Sequence, residues 1–378
     1  STNLVMIFLA FEFLSITSYL LTGYLRDNAL SVEAALKYFL YGAVASTVML
    51  YGFSLMYGAT GALDLHGIAV GLSEADPSIQ QFLVIPAIVL IVVGLGFKIA
   101  LVPFHQWSPE AYQGAPTPIT AFLSVGPKAA GFALLVRVMT IAFPQFAHAA
   151  AVNWVAILSG IAMLTMTFGN VVAIWQKDIK RLFAYSSIAQ AGYMLIGVVA
   201  IAPQYVGGSP AIGGWSQGVN GLLVYLLAYL FTNLGSFAII VAMENKTGSS
   251  DIGTYAGLIR RSPWLAIAFF IFLLSLIGIP PTAGFMGKLF VFGAAINQQM
   301  FLLAAVAIVN SVISVYYYFY IARQMFFTEA EDTSPIPVSG ALNAVVGVSL
   351  VLVFAIAIGA QPFINWATSS AQLLASSF

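Results

Sequence analysis

The chain has 378 residues, 61% of them hydrophobic and 7% charged, whereas soluble domains run near 45–50% apolar and about 25% charged. An ordinary soluble protein is excluded. Thirteen basic and thirteen acidic residues leave no net charge, which argues against a nucleic-acid partner, because no basic surface could neutralise a phosphate backbone. The absence of cysteine excludes disulfides, thiolate metal sites, cysteine-ligated iron–sulfur clusters and cysteine nucleophiles.

A helix needs roughly 20 apolar residues to cross about 30 Å of hydrocarbon. Ten stretches meet this requirement: 4–24, 34–57, 82–104, 117–143, 150–175, 181–203, 219–244, 263–297, 299–322 and 337–366. Their apolar runs do not alternate with period two, so they predict an all-α bundle rather than an outer-membrane barrel. The whole of 1–378 reads as a single membrane domain. Turn residues mark the linkers: Gly58, Gly61 and Pro77, then Pro109, Gly114 and Pro116, then Gly207, Gly208, Pro210, Gly213 and Gly214. The eighth stretch is too long for one straight span and holds Pro280 and Pro281 near its middle. Proline removes a backbone donor and clashes with the preceding turn, so two half-helices are expected. Pro103, five residues after Lys98, predicts a second broken helix in the third stretch. These two stretches are five spans apart and cross in opposite directions, as in an inverted five-helix repeat with sites at half-helix ends.

Arg26, Lys37, Lys177, Lys180, Arg181, Lys246, Arg260, Arg261 and Arg323 fall in or beside alternate loops, and the opposite loops have no Lys or Arg. By the positive-inside rule both termini face outward, to the periplasm or its equivalent. No signal peptide is visible, and Ser1 lies three residues before a span. The sequence therefore reads as part of a larger gene product.

Five charges do not fit the loop pattern: Glu12, Lys98, Lys128, Arg137 and Lys288. A lysine at mid-helix costs roughly 2.5–3.5 kcal/mol on insertion scales, so such groups mark an ion or proton pathway by default. Plainer readings stand beside this one. Lys98 and Arg137 could snorkel to an interface, which explains Arg137 adequately. Lys128 lies too deep for that. Lys288 could cap carbonyls freed by the Pro280-Pro281 break, and Glu12 could neutralise one lysine in a structural ion pair. His105 sits by the first break, while His66 and His148 fall in expected outer loops, as loop or cap residues. There is no phosphate loop and no His-Glu-x-x-His metal motif.

Four runs carry a family resemblance: Phe104 to Lys128 (FHQWSPEAYQGAPTPITAFLSVGPK), Glu33 to Tyr38 (EAALKY), Asp178 to Tyr193 (DIKRLFAYSSIAQAGY) and Gly278 to Lys288 (GIPPTAGFMGK). As a set they resemble the N-subunit family of NADH:quinone oxidoreductases, which is subunit 2 of mitochondrial complex I and of its cyanobacterial and plastid counterparts. The L and M subunits, and the multi-subunit cation/proton antiporters, typically carry His-Ala-Ala-Thr-Met where this chain has Ser124-Val125-Gly126-Pro127-Lys128. The L subunit also ends in a long lateral helix, whereas only about a dozen residues follow the tenth span here, and they are not strongly amphipathic.

The resemblance implies a fourteen-helix, antiporter-like fold in which the ten spans match helices 5–14 and the first four are absent. It implies a proton relay of Lys98, Lys128 and Lys288, with Glu12 paired to Lys98, and with Pro103, His105, Pro280 and Pro281 at the breaks. It implies no cofactor in this chain, with quinone, FMN and iron–sulfur clusters in partner subunits. The partners would be M-like and K-like neighbours, the lateral helix of an L-like subunit, and lipid. The location would be a bacterial inner membrane or a thylakoid. Burial disfavours a charged ammonium and a nearby carboxylate restores it, so Glu12 would tune the charge on Lys98 while electron transfer elsewhere supplies the energy. Two rivals stand: a stand-alone or Mrp-like Na⁺/H⁺ antiporter, and a membrane-arm scaffold whose charges only hold helices together.

Overall fold

The computed structural model describes residues 1–76, 78, 80–147, 149, 153–201, 205–206, 209–210, 212–330 and 332–375. Pro77, His148, Gly207 and Gly208 lie outside the described residues. The helices are α1 (Leu4–Thr22), α2 (Ala29–Thr60), α3 (Leu65–Glu74), α4 (Ile85–Lys98, entered through a π-helical turn at Gln80–Val84), α5 (Trp107–Gly114), α6 (Thr117–Ile141), α7 (Trp154–Ala173), α8 (Ile179–Val199), α9 (Ile212–Thr247), α10 (Pro263–Ile277), α11 (Ala283–Asn297), α12 (Phe301–Phe327), α13 (Gly340–Ile358) and α14 (Ala360–Ala375). A two-residue antiparallel ladder joins Tyr205–Val206 to Ser209–Pro210 ahead of α9.

Among the described residues, eight helices are long and apolar enough to cross a membrane unbroken. The two broken spans, α4–α5 and α10–α11, bring the crossings to the expected ten. Three elements differ from expectation beyond a shift of a few residues at their ends. The third span ends at Lys98, not at 104, because residues 99–106 form turns. Residues 65–74, expected as loop, form α3, with His66 exposed in its first turn. This helix is too short for a hydropathy window to register, and it is held by Leu65, Ile68 and Leu72 packed inward. The tenth span stops at Ile358, and a separate helix follows in place of a span continuing to 366. That helix, α14, does have an inner face: Ala367 and Ala371 are buried, Trp366 is exposed, and Thr368 Oγ1 accepts from Asn220 Nδ2 on α9 at 3.0 Å.

Local chemistry fixes the helix starts. Asn3, Asn28, Asp178 and Ser339 each accept a backbone N–H of the first turn through the side chain, satisfying donors that a helix leaves orphaned. Two of these starts are stitched alike. At α1, Leu4 N donates to Leu63 O (2.8 Å) and Leu65 N to Thr2 O (2.9 Å), around an Asn3–Asp64 bridge. At α8, Ile179 N donates to Ser250 O (2.8 Å) and Ile252 N to Lys177 O (2.9 Å), around an Asp178–Asp251 bridge. Because α1 and α8 are five crossings apart, these equivalent stitches lie at opposite ends of the bundle. This is the inverted-repeat relation expected from the two broken helices.

All five ion pairs among the described residues lie at one end of the bundle. Glu110 accepts from Lys37 (3.1 Å) and Arg181 (3.0 Å); Lys37 also meets Glu33, Lys180 meets Glu244, and Arg261 meets Asp332. The hydroxyl and amide of Ser334 hold the exposed Asp332 carboxyl below its usual range. The charge-rich end therefore matches the end that the basic loops mark in the sequence. At the centre stands α8, buried along nearly all of its span, so Ser186, Ser187, Gln190 and Tyr193 on it face protein rather than lipid.

Candidate functional site

The first break leaves α4 at Lys98. Trp107 Nε1 donates to Phe97 O at 2.7 Å, and Thr165 Oγ1 on α7 accepts the Val102 amide at 3.1 Å, so the backbone groups freed here are held by side chains. Pro103 sits in the turn, preceded by Ala100 at φ +59°. The His105 ring packs edge-on to Phe168 at 4.5 Å between centroids.

At the second break, Gly278 ends α10 at φ +91°, a conformation that favours glycine. A side chain there would also meet Lys288 Cδ at 2.8 Å. The chain leaves helical geometry through Pro280 and Pro281 and re-enters at Ala283. The freed carbonyls find partners: Leu276 O accepts from Gln190 Nε2 (3.0 Å), and Ile277 O accepts from Lys288 Nζ (2.7 Å) and Ser311 Oγ (3.0 Å). Lys288 thus makes the carbonyl-capping contact that the plainer reading allowed, and it also donates to Ser311 Oγ at 2.8 Å.

The three lysines are all buried, at 1%, 1% and 4% exposure for Lys98, Lys128 and Lys288. Each donates to a serine. Lys98 Nζ reaches Ser15 Oγ on α1 at 2.9 Å, beside the Phe11 ring. Lys128, next to the in-helix Pro127 on α6, reaches Ser187 on α8 through both its carbonyl (2.7 Å) and its hydroxyl. Lys288 completes the set, and its ammonium lies 4.6 Å from the centre of the Tyr193 ring on α8.

Glu12 and Lys98 form no ion pair within 4.0 Å. Glu12 lies one turn from Ser15 on the same face of α1, and its Oε1 is buried without a hydrogen-bond partner. Arg137 lines a groove of about 250 Å³ with Lys98, between α1 and α6.

Side chains not singled out in the sequence join Lys128 to Lys288, and the backbone of α6 lies against Lys98. A Cβ built on Gly131 of α6 would stand 3.7 Å from Lys98 Cγ, one helical turn from Lys128. Ser187 also receives the Tyr229 hydroxyl (2.7 Å) and lies 3.0 Å from that of Tyr112. Ser187, Gln190 and Tyr193 are spaced at i, i+3 and i+6, so they form one stripe along α8 that runs from Lys128's partner to Lys288's. That spacing, on a helix without a lipid face, was the available signal. Among the described residues, no group of three or more His, Asp or Glu is arranged to hold a metal.

A bundle of ten crossings with two inversely related broken helices and a line of buried lysines defines an antiporter-like polytopic membrane subunit. The model of the NADH:quinone oxidoreductase/Mrp antiporter transmembrane family matches residues 1–314. The chain is 44% identical over 383 residues to NADH-quinone oxidoreductase subunit N 2 of Symbiobacterium thermophilum, covering 99% of this chain and 72% of that one. Among solved structures, a chain of respiratory complex I from Thermus thermophilus with bound aureothin superposes with a TM-score of 0.79 at 34% identity, over 97% of this chain and 75% of that one. A chain of the Mrp complex of Dietzia sp. DQ12-45-1b gives 0.84 at 24% identity, over 99% and 74%, and shares the fold. The chain belongs to the NADH:quinone oxidoreductase/Mrp antiporter family, as a membrane-arm, antiporter-like subunit of the complex I type. It spans between three-fifths and three-quarters of the length of the relatives it matches.

Proposed function

We propose that this subunit translocates protons through a relay of Lys98, Lys128 and Lys288, driven by quinone reduction in partner subunits that hold the flavin and iron–sulfur centres. The observation that carries the reading is the set of three buried lysines, each donating to a serine, with Lys128 and Lys288 bridged along α8 by Ser187, Gln190 and Tyr193. A lysine can release and recapture a proton, and intramembrane ionisable groups are retained where they serve transport. Glu12, one turn from Ser15, adjusts the charge state of Lys98 through space. Both chain termini face the outer side of a bacterial inner membrane or a thylakoid, with M-like and K-like neighbours and the lateral helix of an L-like subunit alongside. No redox centre binds to this chain.

The test is purification of the full-length subunit with its native neighbours, their identification by mass, and reconstitution into sodium-free vesicles. Quinone reduction should acidify one side without added Na⁺. Strict dependence on Na⁺, or Na⁺/H⁺ exchange by the subunit without partners, would favour the Mrp-like reading instead.

A further inference from the structure

In the link between Lys128 and Lys288, Gln190 is paired with Tyr225 of α9. Gln190 lies midway on the α8 stripe, one turn from Ser187 and one from Tyr193. Each end of its amide has a protein partner. The Nε2 donates to Leu276 O at 3.0 Å, and the Oε1 accepts the hydroxyl of Tyr225 from α9. An amide at ordinary pH neither gains nor loses a proton, and here one N–H is held by a backbone carbonyl and the oxygen by the Tyr225 hydroxyl, so moving Tyr225 frees an acceptor that can orient a water. Beside it lies a cavity of about 10 Å³, lined by Gln190, Tyr225, Tyr229, Thr232, Ser275 and Leu276. That is at the lower bound for one water molecule. The Lys128–Ser187–Tyr229 cluster lies on one side of the pair, and the Lys288–Tyr193–Ile277 cluster on the other.

The repeat gives this pair its meaning. Counted from the helix caps Asn3 and Asp178, Ser15 and Gln190 both stand twelve residues in; counted back from Pro103 and Pro281, Lys98 and Leu276 both stand five residues away. The Gln190–Leu276 contact is therefore the counterpart of the Ser15–Lys98 contact. One repeat has a titratable group at this joint, and the other has an amide on a backbone carbonyl. Tyr225 is also tied to the broken helix. A Cβ on Gly287, the residue before Lys288, would stand 2.0 Å from Tyr225 Cδ2, so the ring lies directly on α11 and a shift of that half-helix must move it.

We propose that Gln190 and Tyr225 form a gate between Lys128 and Lys288, closed in this structure, which opens when α11 shifts and the Tyr225 hydroxyl leaves the Gln190 amide to admit a water. Both are positioning residues, and neither carries the proton. The inference rests on the relay reading above, and its test separates the two.

The full-length subunit in its assembled complex is reconstituted into proteoliposomes without an electron donor. An acid pulse is applied, and internal pH is followed with a trapped dye. Tyr225→Phe removes one hydrogen bond from the closed state and should raise passive proton entry about fivefold. Gly287→Ala, whose Cβ displaces the ring and so draws the hydroxyl from Gln190 without deleting it, should raise it too and serves where the first variant fails to assemble. Adding Lys128→Ala should return the leak of either variant to the parental level. A leak that does not rise in the assembled variants, or that persists with Lys128→Ala, overturns the gate. If Lys128→Ala still lowers coupled translocation in that case, the relay survives without the gate; if Lys128→Ala leaves coupled translocation at the parental level, both readings fall.

Discussion

At the scale of single residues, the account depends on what each buried ammonium touches. The Ser187 hydroxyl accepts from Lys128 and from Tyr229, so Ser187→Ala removes that acceptor from two buried donors and leaves Lys128 only the Ser187 carbonyl. Unsatisfied buried donors cost roughly 1–3 kcal/mol each. The variant should assemble and slow coupled proton translocation about tenfold or more by that energy; parental rates in vesicles would exclude Ser187 from the path. Glu12 and Lys98 give a second test. Their carboxylate and ammonium are not in contact, yet both lie against the Ser15 face of α1. If they couple through low-dielectric space, the double variant Glu12→Gln/Lys98→Met loses less pumping than the singles do in sum, and strict additivity would count against coupling. The lysines themselves were legible in the sequence, because a charge at mid-span is conspicuous. Their serine partners were not: Ser15 and Ser311 resemble any hydroxyl in a membrane helix, and only the crossing of α1, α4, α11 and α12 selects them.

At the scale of elements, proline reveals the breaks and packing decides their details. Pro280 and Pro281 interrupt the eighth span, and the carbonyls of Leu276 and Ile277 are freed there for Gln190, Lys288 and Ser311. Replacing both prolines with alanine should favour one continuous helix and withdraw those carbonyls into i→i−4 bonds. We expect quinone reduction to continue with proton translocation reduced several-fold, read as the proton-to-quinone ratio; an unchanged ratio would show that the break has no part in coupling. The other end of the chain shows the limit of hydropathy. An apolar run continues across Gly359, so 337–366 reads as one span, although Pro362 in the first turn of α14 was a usable start signal. In α3, apolar Leu65, Ile68 and Leu72 at helical spacing were present in the sequence but too brief for a span-length window.

At the scale of the molecule, the number of crossings and the broken pair follow from hydropathy, proline and the alternation of basic loops. The ion pairs gathered at one end agree with that alternation. The polar line could not be read in advance, because links such as Lys128–Ser187 and Gln190–Leu276 join residues 59 and 86 positions apart through packing alone. The central claim is that this line carries protons, and the direct measurement is the number of protons translocated per quinone reduced by complexes bearing Lys128→Ala or Lys288→Ala, with assembly verified. The account predicts an assembled enzyme that reduces quinone with a lowered ratio, not fully restored by Lys→Arg because arginine does not release its proton. Two assembled variants pumping at the parental ratio would contradict it.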